Sequence, residues 1–363
     1  MPPSDSHRYA LILAGGRGTR FWPRSRRANA KQVLRFFGER SLIQQTVDRL
    51  TPVIPPERIW VLTNDHLRAE IVKQLPNVPK KQILSEPAAR NTAPAIGLAA
   101  CILESLDPKA VMGVFPSDQV IGRPKEFLTL VKKAYRAAEA GGIGLLGIQP
   151  RWPETGFGYV EFPRDVKAGD AAPVKRFREK PDLKTARKYV AAGNFYWNAG
   201  MFFWRPSLVL DSLRKHLPKT AALLASLPKF GARDFPARLA KTFPHCENIS
   251  IDFAVLEPAS KQPGAITGIA AGDIGWNDVG SWNAVYELLD RDDAGNAARG
   301  EIVAHGSSGN YVDAEGKLVA LVGVHDLVVV DTPDALLITR RESAQQVGDL
   351  VKLLEAQKRH HLL

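Results

Sequence analysis

The stretch LILAGGRGTRFWPRS, Leu11 to Ser25, runs an apolar segment directly into Gly15, Gly16 and Gly18, with Arg17, Arg20 and Arg24 among and beyond them. Glycines that follow a strand let backbone N–H groups come close to a phosphate or a base, and arginines neutralise phosphate charge. A glycine turn with a solvated basic edge uses the same residue types, so the flanks decide. A Walker A loop needs Lys followed by Ser or Thr after its second glycine group, whereas Gly18 is followed by Thr19 and Arg20. A dinucleotide fingerprint needs a glycine at position 21, where Phe21 stands. What remains is GGxGxRxxP, turned at Pro23, with Lys31 and Gln32 eight residues beyond. Together these residues make a specific signal.

The elements that must position this loop alternate. Tyr9–Leu13 reads as a strand, and Ser41–Leu50 as a helix whose capping box is Ser41 with Gln44 three residues on. Strands follow at Arg58–Thr63, Gln82–Ser85, Val111–Phe115 and Ile143–Ile148, with helices at Asp65–Leu75, Thr92–Leu106 and Pro124–Ala140 between them. Strands alternating with helices argue for an α/β fold with a largely parallel sheet covered on both faces. Ligands of such sheets bind outside the carboxyl ends of the strands, where the glycine loop falls. From Arg151 to about Glu257 the pattern becomes irregular, with short strands at Gly158–Phe162, Val174–Phe177 and Gly200–Trp204 and a helix at Leu183–Ala192. This segment reads as an elaboration of the same sheet, able to form a substrate wall. Beyond the connector RDDAGNAARG come short β-type runs at Glu301–Ala304, Leu318–Val322 and Leu327–Val330, then a helix with Val347, Leu350, Val351 and Leu354 on one face. The expected division is a catalytic domain over residues 1–292 and a small β-rich domain with a terminal helix over 293–363.

Composition narrows the class. The 363 residues are 45% hydrophobic and 24% charged, which excludes a disordered or fibrous chain, and the length suits two domains. Lys and Arg number 49 against 38 Asp and Glu, a formal charge of +11 that favours anionic partners. The positive charges are scattered and lack the interleaved aromatics of nucleic-acid modules, so phosphate-rich small molecules are expected rather than nucleic acid. No run of apolar residues is long enough for a membrane span, and the short apolar run near the N-terminus opens into glycines rather than forming a signal peptide. Cys101, in an apolar helical run, and Cys246, in a polar loop, read as reduced thiols of a cytoplasmic protein.

Six motifs in order give the sequence a family resemblance. LAGGRGTRFWP with Lys31-Gln32, SEPAARNTAPAI (Ser85–Ile96), FPSD (Phe115–Asp118), FREKPD (Phe177–Asp182), YWNAGMFFW (Tyr196–Trp204) and GWNDVGSW (Gly275–Trp282) resemble the sugar nucleotidyltransferases, and within them the mannose-1-phosphate guanylyltransferases. DLVVVDTPDALLI, Asp326 to Ile338, is similar to that family's C-terminal tail, a short left-handed β-helix. The resemblance implies a Rossmann-like nucleotidyltransferase sheet and the transfer of GMP from GTP to mannose 1-phosphate. It also leaves a glucose 1-phosphate enzyme, or a silent binding protein on the same fold, as alternatives.

The resemblance also assigns residues. Leu13, Ala14, Gly15, Gly16, Arg17 and Gly18 would bind the nucleotide, with Arg20 and Lys31 on the triphosphate. Glu86 or nearby carbonyls would accept from guanine N1 and N2, and Asn91 and Thr92 would join them, although helix capping explains those two equally well. Asp118 and Asp278 would be the metal pair, since Mg²⁺ takes one or two carboxylates together with phosphate oxygens. Read alone, Asp118 is a cap and Asp278 an Asx-turn former. Lys180 would hold the sugar phosphate as a point charge, with Glu179 and Asn198 on sugar hydroxyls and Gly156 allowing close approach of the ring. Two positions depart from the pattern: Gln119 stands where histidine is expected, and Phe157 where tyrosine is commoner. Self-association through the β-rich tail is the remaining expectation.

Overall fold

The computed structural model describes residues 6–363. Its main sheet runs in the order Ile83–Glu86, Ile59–Asn64, Arg8–Leu13, Val111–Pro116, Phe195–Trp204, Ile143–Ile148, Ile266–Ala271, Ala171–Pro173, with two further short strands, Tyr159–Glu161 and Arg176–Arg178, paired off this path. Arg8–Leu13 pairs in parallel with Ile59–Asn64 on one side and Val111–Pro116 on the other, so the parallel half expected from the alternating pattern is present. The sheet as a whole is mixed, because Phe195–Trp204 enters antiparallel between Val111–Pro116 and Ile143–Ile148. It is also twice as long as the Gly200–Trp204 strand expected. Its register shifts between Asn198 and Phe202, with Gly200 at a φ of 68°, which breaks the alternation that reveals a strand.

Helices cover both faces. On one, Ile43 and Val47 of Leu42–Leu50, Leu67 and Ile71 of Asp65–Gln74, and Phe127 and Val131 of Pro124–Glu139 close the core. On the other, Thr92–Leu106 packs with Pro206–His216, Pro218–Ala225 and Phe235–Thr242. The Ser41–Gln44 capping box forms as its spacing requires, each side chain accepting from the other's backbone N–H. Cys246, expected in a polar loop, is buried as part of this second core, which also holds its neighbour Phe243.

The C-terminal unit stacks short parallel strands. Ala297–Arg299, Tyr311–Asp313 and Leu327–Thr332 form one row closed by antiparallel Ala335–Arg340, and Ile302–His305 pairs with Val319–Val322 in another. The helix Val347–Ala356 returns to the N-terminal part of the chain and buries Val347, Val351 and Leu354 in a cluster with Phe21, Trp22 and Trp282. Arg24 is held by both oxygens of the buried Asp313, at 3.1 and 2.6 Å, and the Trp22 indole donates to the Leu362 carbonyl at 2.9 Å. The segment after the glycine loop is therefore seated on the C-terminal unit.

Candidate active site

Leu13 ends its strand and Pro116 ends the neighbouring one in register with it. The glycine loop and Asp118 thus leave adjacent parallel strands at their carboxyl ends, and the Ser117 N–H donates to the Leu13 carbonyl at 3.1 Å. Gly15, Gly16 and Arg17 are exposed. The loop is shaped from beneath by Gln32, whose buried amide donates to the carbonyls of Ala14 (2.7 Å) and Gly16 (3.0 Å). The Thr63 hydroxyl also donates to Ala14, at 2.9 Å. With the carbonyls of Ala14 and Gly16 engaged from below, the loop at Gly15 to Arg17 stands open to solvent, where an anion could reach its backbone.

Gly18 sets the next link. Its φ is 61°, and a Cβ there would stand 2.6 Å from Lys31 Cβ and 2.8 Å from Lys31 N, so only glycine lets Lys31 lie under the loop. Lys31 is nearly buried, with its Nζ 2.9 Å from Asp118 Oδ2 and 2.6 Å from the Asp278 carbonyl oxygen. Asp278 arrives by a second route. Trp276–Asn277 pairs antiparallel with Val120–Ile121, two residues after Asp118, and the pairing is tight because Gly275 lies against Gly122. The Asx turn expected of Asp278 is made by Asn277, which accepts from the Val279 N–H at 2.7 Å and leaves the Asp278 carboxyl to the site. Arg20 reaches this loop too, with Nη1 3.5 Å from the Gly280 carbonyl.

Asp118 and Asp278 supply hard oxygen donors, the type Mg²⁺ prefers. Burial, and after it the charge of Asp118, raises the Asp278 carboxyl above the usual carboxylate range, against the lowering effect of Lys31. A divalent cation fits this donor set of two carboxylates, which lie near enough for the charge of Asp118 to act on Asp278. Among the described residues no cluster of three or more His, Cys, Asp or Glu is arranged for a metal, so such an ion would share two carboxylates with substrate oxygens and water.

Gln119 links three segments. Its Nε2 donates to the Ala199 carbonyl on the long antiparallel strand, and its Oε1 accepts from the Trp276 indole, both at 2.9 Å. A buried amide thereby connects the Asp118 loop, the Asp278 loop and the strand that carries Asn198.

A cleft of about 400 Å³ opens beside the glycine loop, lined by Gly15, Thr63, Asn64, His66, Glu86 and Pro87 among others. Burial pushes the Glu86 carboxyl from 4.5 up to about 7, and a Cβ on Gly15 would stand 3.5 Å from its Oε1. Asn91 Oδ1 accepts from the Thr92 N–H at 2.9 Å, and the Thr92 hydroxyl accepts from the Ile251 N–H at 2.9 Å.

The sugar motifs meet on the other side. Glu179 is buried, with Oε2 unpartnered and Oε1 3.5 Å from Lys180 Nζ. Lys180 sits at a φ of 42° with its side chain mostly exposed. A Cβ on Gly158 would fall against Glu179 Oε2 and 3.3 Å from Asn198 Cβ, so the missing side chain here, rather than at Gly156, makes room for these two residues. Gly156 is exposed, and its N–H donates to Glu154 at 2.8 Å. Gln32, Thr63 and Gly158 are supporting residues that sequence reasoning did not single out for a role. Of these, only Gln32 had a signal, in its pairing with Lys31. Another cleft, about 270 Å³ and lined by Leu98, Cys101, Leu213 and Phe235 among others, includes none of the site residues.

Comparison with known proteins agrees with this geometry. The nucleotidyl transferase family model matches residues 9–294. The chain belongs to that family. A model described as a MannoseP isomerase/GMP-like beta-helix domain matches residues 300–354. A mannose-1-phosphate guanylyltransferase of Escherichia coli is 37% identical over 354 residues, 95% of this chain and 75% of that protein. The alginate biosynthesis protein AlgA of Pseudomonas aeruginosa is 38% identical, over 96% of this chain and 72% of that protein. A Thermus thermophilus structure described as a mannose-1-phosphate geranyltransferase superposes with a TM-score of 0.84 at 31% identity, covering 96% of this chain and 99% of that one. As a nucleotidyl transferase, the chain carries its glycine loop, two carboxylates and basic residues on one rim of the sheet. Among the described residues no helix is long and apolar enough to cross a membrane.

Proposed function

We infer that this chain is a mannose-1-phosphate guanylyltransferase: it transfers GMP from GTP to mannose 1-phosphate and releases pyrophosphate. The observation that carries the reading is Lys31, seated under the glycine loop and touching both acidic segments at once. An oxygen of the sugar phosphate attacks the α-phosphorus of GTP in line, the bond to the β-phosphate oxygen breaks, and pyrophosphate leaves from the opposite side. The attacking group is already an anion, so no enzyme nucleophile is needed, and catalysis is positioning with stabilisation of spreading charge.

The loop from Leu13 to Gly18 cradles the nucleotide, and Arg20 and Lys31 face the triphosphate. Glu86, as a carboxylate, accepts from the N1 and N2 donors of guanine, a pair that adenine does not present. Lys180 holds the sugar 1-phosphate, while Glu179 and Asn198 meet the ring hydroxyls. Asp118 and Asp278 would hold Mg²⁺, which when bound neutralises phosphate charge and draws electrons from the α-phosphorus. The proposal includes the division near residue 292, a cytoplasmic place consistent with two free thiols, and self-association through the C-terminal strands, where Val303, Val322 and Ile338 are exposed.

Label placement tests the reaction. With GTP labelled at the α-phosphate the label should appear in a nucleotide sugar, and with γ-labelled GTP in pyrophosphate. Label from the α-phosphate appearing in free GMP or GDP would overturn the transfer.

A further inference from the structure

Asp252 opens a π-helical segment, Asp252–Leu256, in a stretch of sequence that carries no motif. Such i→i+5 turns are rare and occur frequently at functional sites. Its place is fixed from two sides. Upstream, the Ala93 N–H donates to the Ile249 carbonyl and the Ile251 N–H to the Thr92 hydroxyl, tying the stretch to the start of the helix Thr92–Leu106. On the other side, Asp252 Oδ1 accepts from Asn198 Nδ2 at 2.8 Å.

That bond determines how Asn198 is presented. Asn198 Oδ1 already accepts from the Gly200 N–H at 3.0 Å, across the bulge of its strand. A carboxylate can only accept and a backbone N–H can only donate, so together they leave one orientation of the amide. One N–H and one oxygen lone pair of Asn198 remain for a ligand. Beside them lies Glu179 Oε2, buried and without a partner, a group that itself calls for a hydrogen-bonding ligand.

We propose that Asp252 is a positioning residue for the sugar 1-phosphate: through Asn198 it fixes the donor and acceptor that, with Glu179, meet the hydroxyls of the hexose ring. The assignment rests on the reading of this side of the site as the sugar subsite. Electrostatics agree with the geometry. Glu179 is pushed up to about 7 by burial and then by the charge of Asp252, while Lys180 opposes the shift. Burial likewise raises Asp252, which the Asn198 hydrogen bond and Lys180 counter. A buried carboxyl raised in this way favours a ligand that donates to it, as a ring hydroxyl does.

The test is a double-mutant cycle of Asp252→Asn with Asn198→Ala, read as KM for GTP and KM for the sugar 1-phosphate that the wild-type chain accepts best. Asp252→Asn should raise the sugar 1-phosphate KM by about tenfold, the scale of one charge-assisted hydrogen bond, and leave the GTP KM within about twofold. Because Asp252 acts through Asn198, the double variant should be no worse than Asn198→Ala alone. Unchanged KM values in Asp252→Asn, additive effects in the cycle, or both KM values rising together with a loss of thermal stability would each overturn the assignment. If Asp252→Asn does not fold, Asp252→Ser, which keeps a shorter acceptor, should shift the same KM in the same direction. A wild-type chain that takes no sugar 1-phosphate would overturn the parent reading, and this one with it. A wild-type chain that turns over while Asp252→Asn matches it would overturn this one alone.

Discussion

Lys31 Nζ lies 2.9 Å from the Asp118 carboxylate, and this ion pair, nearly buried on the lysine side, joins the glycine loop to the carboxyl end of the neighbouring strand. The same ammonium donates to the Asp278 carbonyl at 2.6 Å, so one cation spans the two segments that bring the acidic pair together. Lys31 is in reach because Gly18 has no Cβ.

Replacing Lys31 should therefore damage both electrostatics and placement. Lys31→Met keeps the stem and removes the charge. It should lower kcat by about 10²–10³, the scale for removing one preorganised donor from a transition state. Lys31→Arg should not restore the rate, since a planar fork cannot occupy the position of a compact point charge between a carboxylate and a carbonyl. Steady-state kinetics with thermal denaturation of each variant check this; a Lys31→Met enzyme with wild-type kcat would contradict it.

Glu86 gives a pH signature. Burial lifts its carboxyl from 4.5 to about 7, so the folded chain binds this proton more tightly than the unfolded one. The stability attached to that proton is fully present below about pH 4.5 and is lost as pH rises through about 7. Glu86→Gln removes the titration. It should be more stable than wild type at about pH 8 and equal to it at about pH 4, read as the difference in Tm. In the same range the wild-type KM for GTP should fall as pH rises through about 7, when the carboxylate becomes available to guanine. The variant should be uniformly weak for GTP. A Tm difference that ignores pH would contradict the account.

Gln119 predicts a stability loss with a catalytic consequence. Gln119→Leu fills similar space but strands the Trp276 indole N–H and the Ala199 carbonyl. Leaving buried polar groups unsatisfied costs about 1–3 kcal/mol each. Urea denaturation should show a loss of about 2–6 kcal/mol for the two groups together, and kcat should fall as well, because the same amide sets the Asp118 and Asp278 loops against each other. Unchanged stability would show that neither bond matters.

Local signals made much of this legible in the sequence. The helices Thr92–Leu106 and Leu183–Ala192 were readable to their ends, because Asn91 and Asp182 precede apolar periodic runs as capping residues. The glycine loop and Lys31 stood out because their spacing is local, whereas Asp118 and Asp278 were marked only by the family resemblance of the segments that carry them. Long-range placement was hidden. The strand Phe195–Trp204 breaks its own alternation at the Asn198 bulge, and its antiparallel insertion depends on partners far away in the chain. Asp252 has no local pattern that marks a buried carboxylate, and its role emerges only where it meets Asn198. Asn91 and Thr92 looked equally like caps and like nucleotide ligands, and their observed bonds are to the protein itself.

The most direct test of the central claim is pyrophosphate release with Mg²⁺, crossing GTP, ATP, UTP and dTTP with mannose 1-phosphate and glucose 1-phosphate. Release with GTP and mannose 1-phosphate well above every other pair is the predicted result. A different preferred pair would contradict the assigned base or sugar, and no release from folded protein with any pair would contradict the assignment as a nucleotidyl-transferring enzyme.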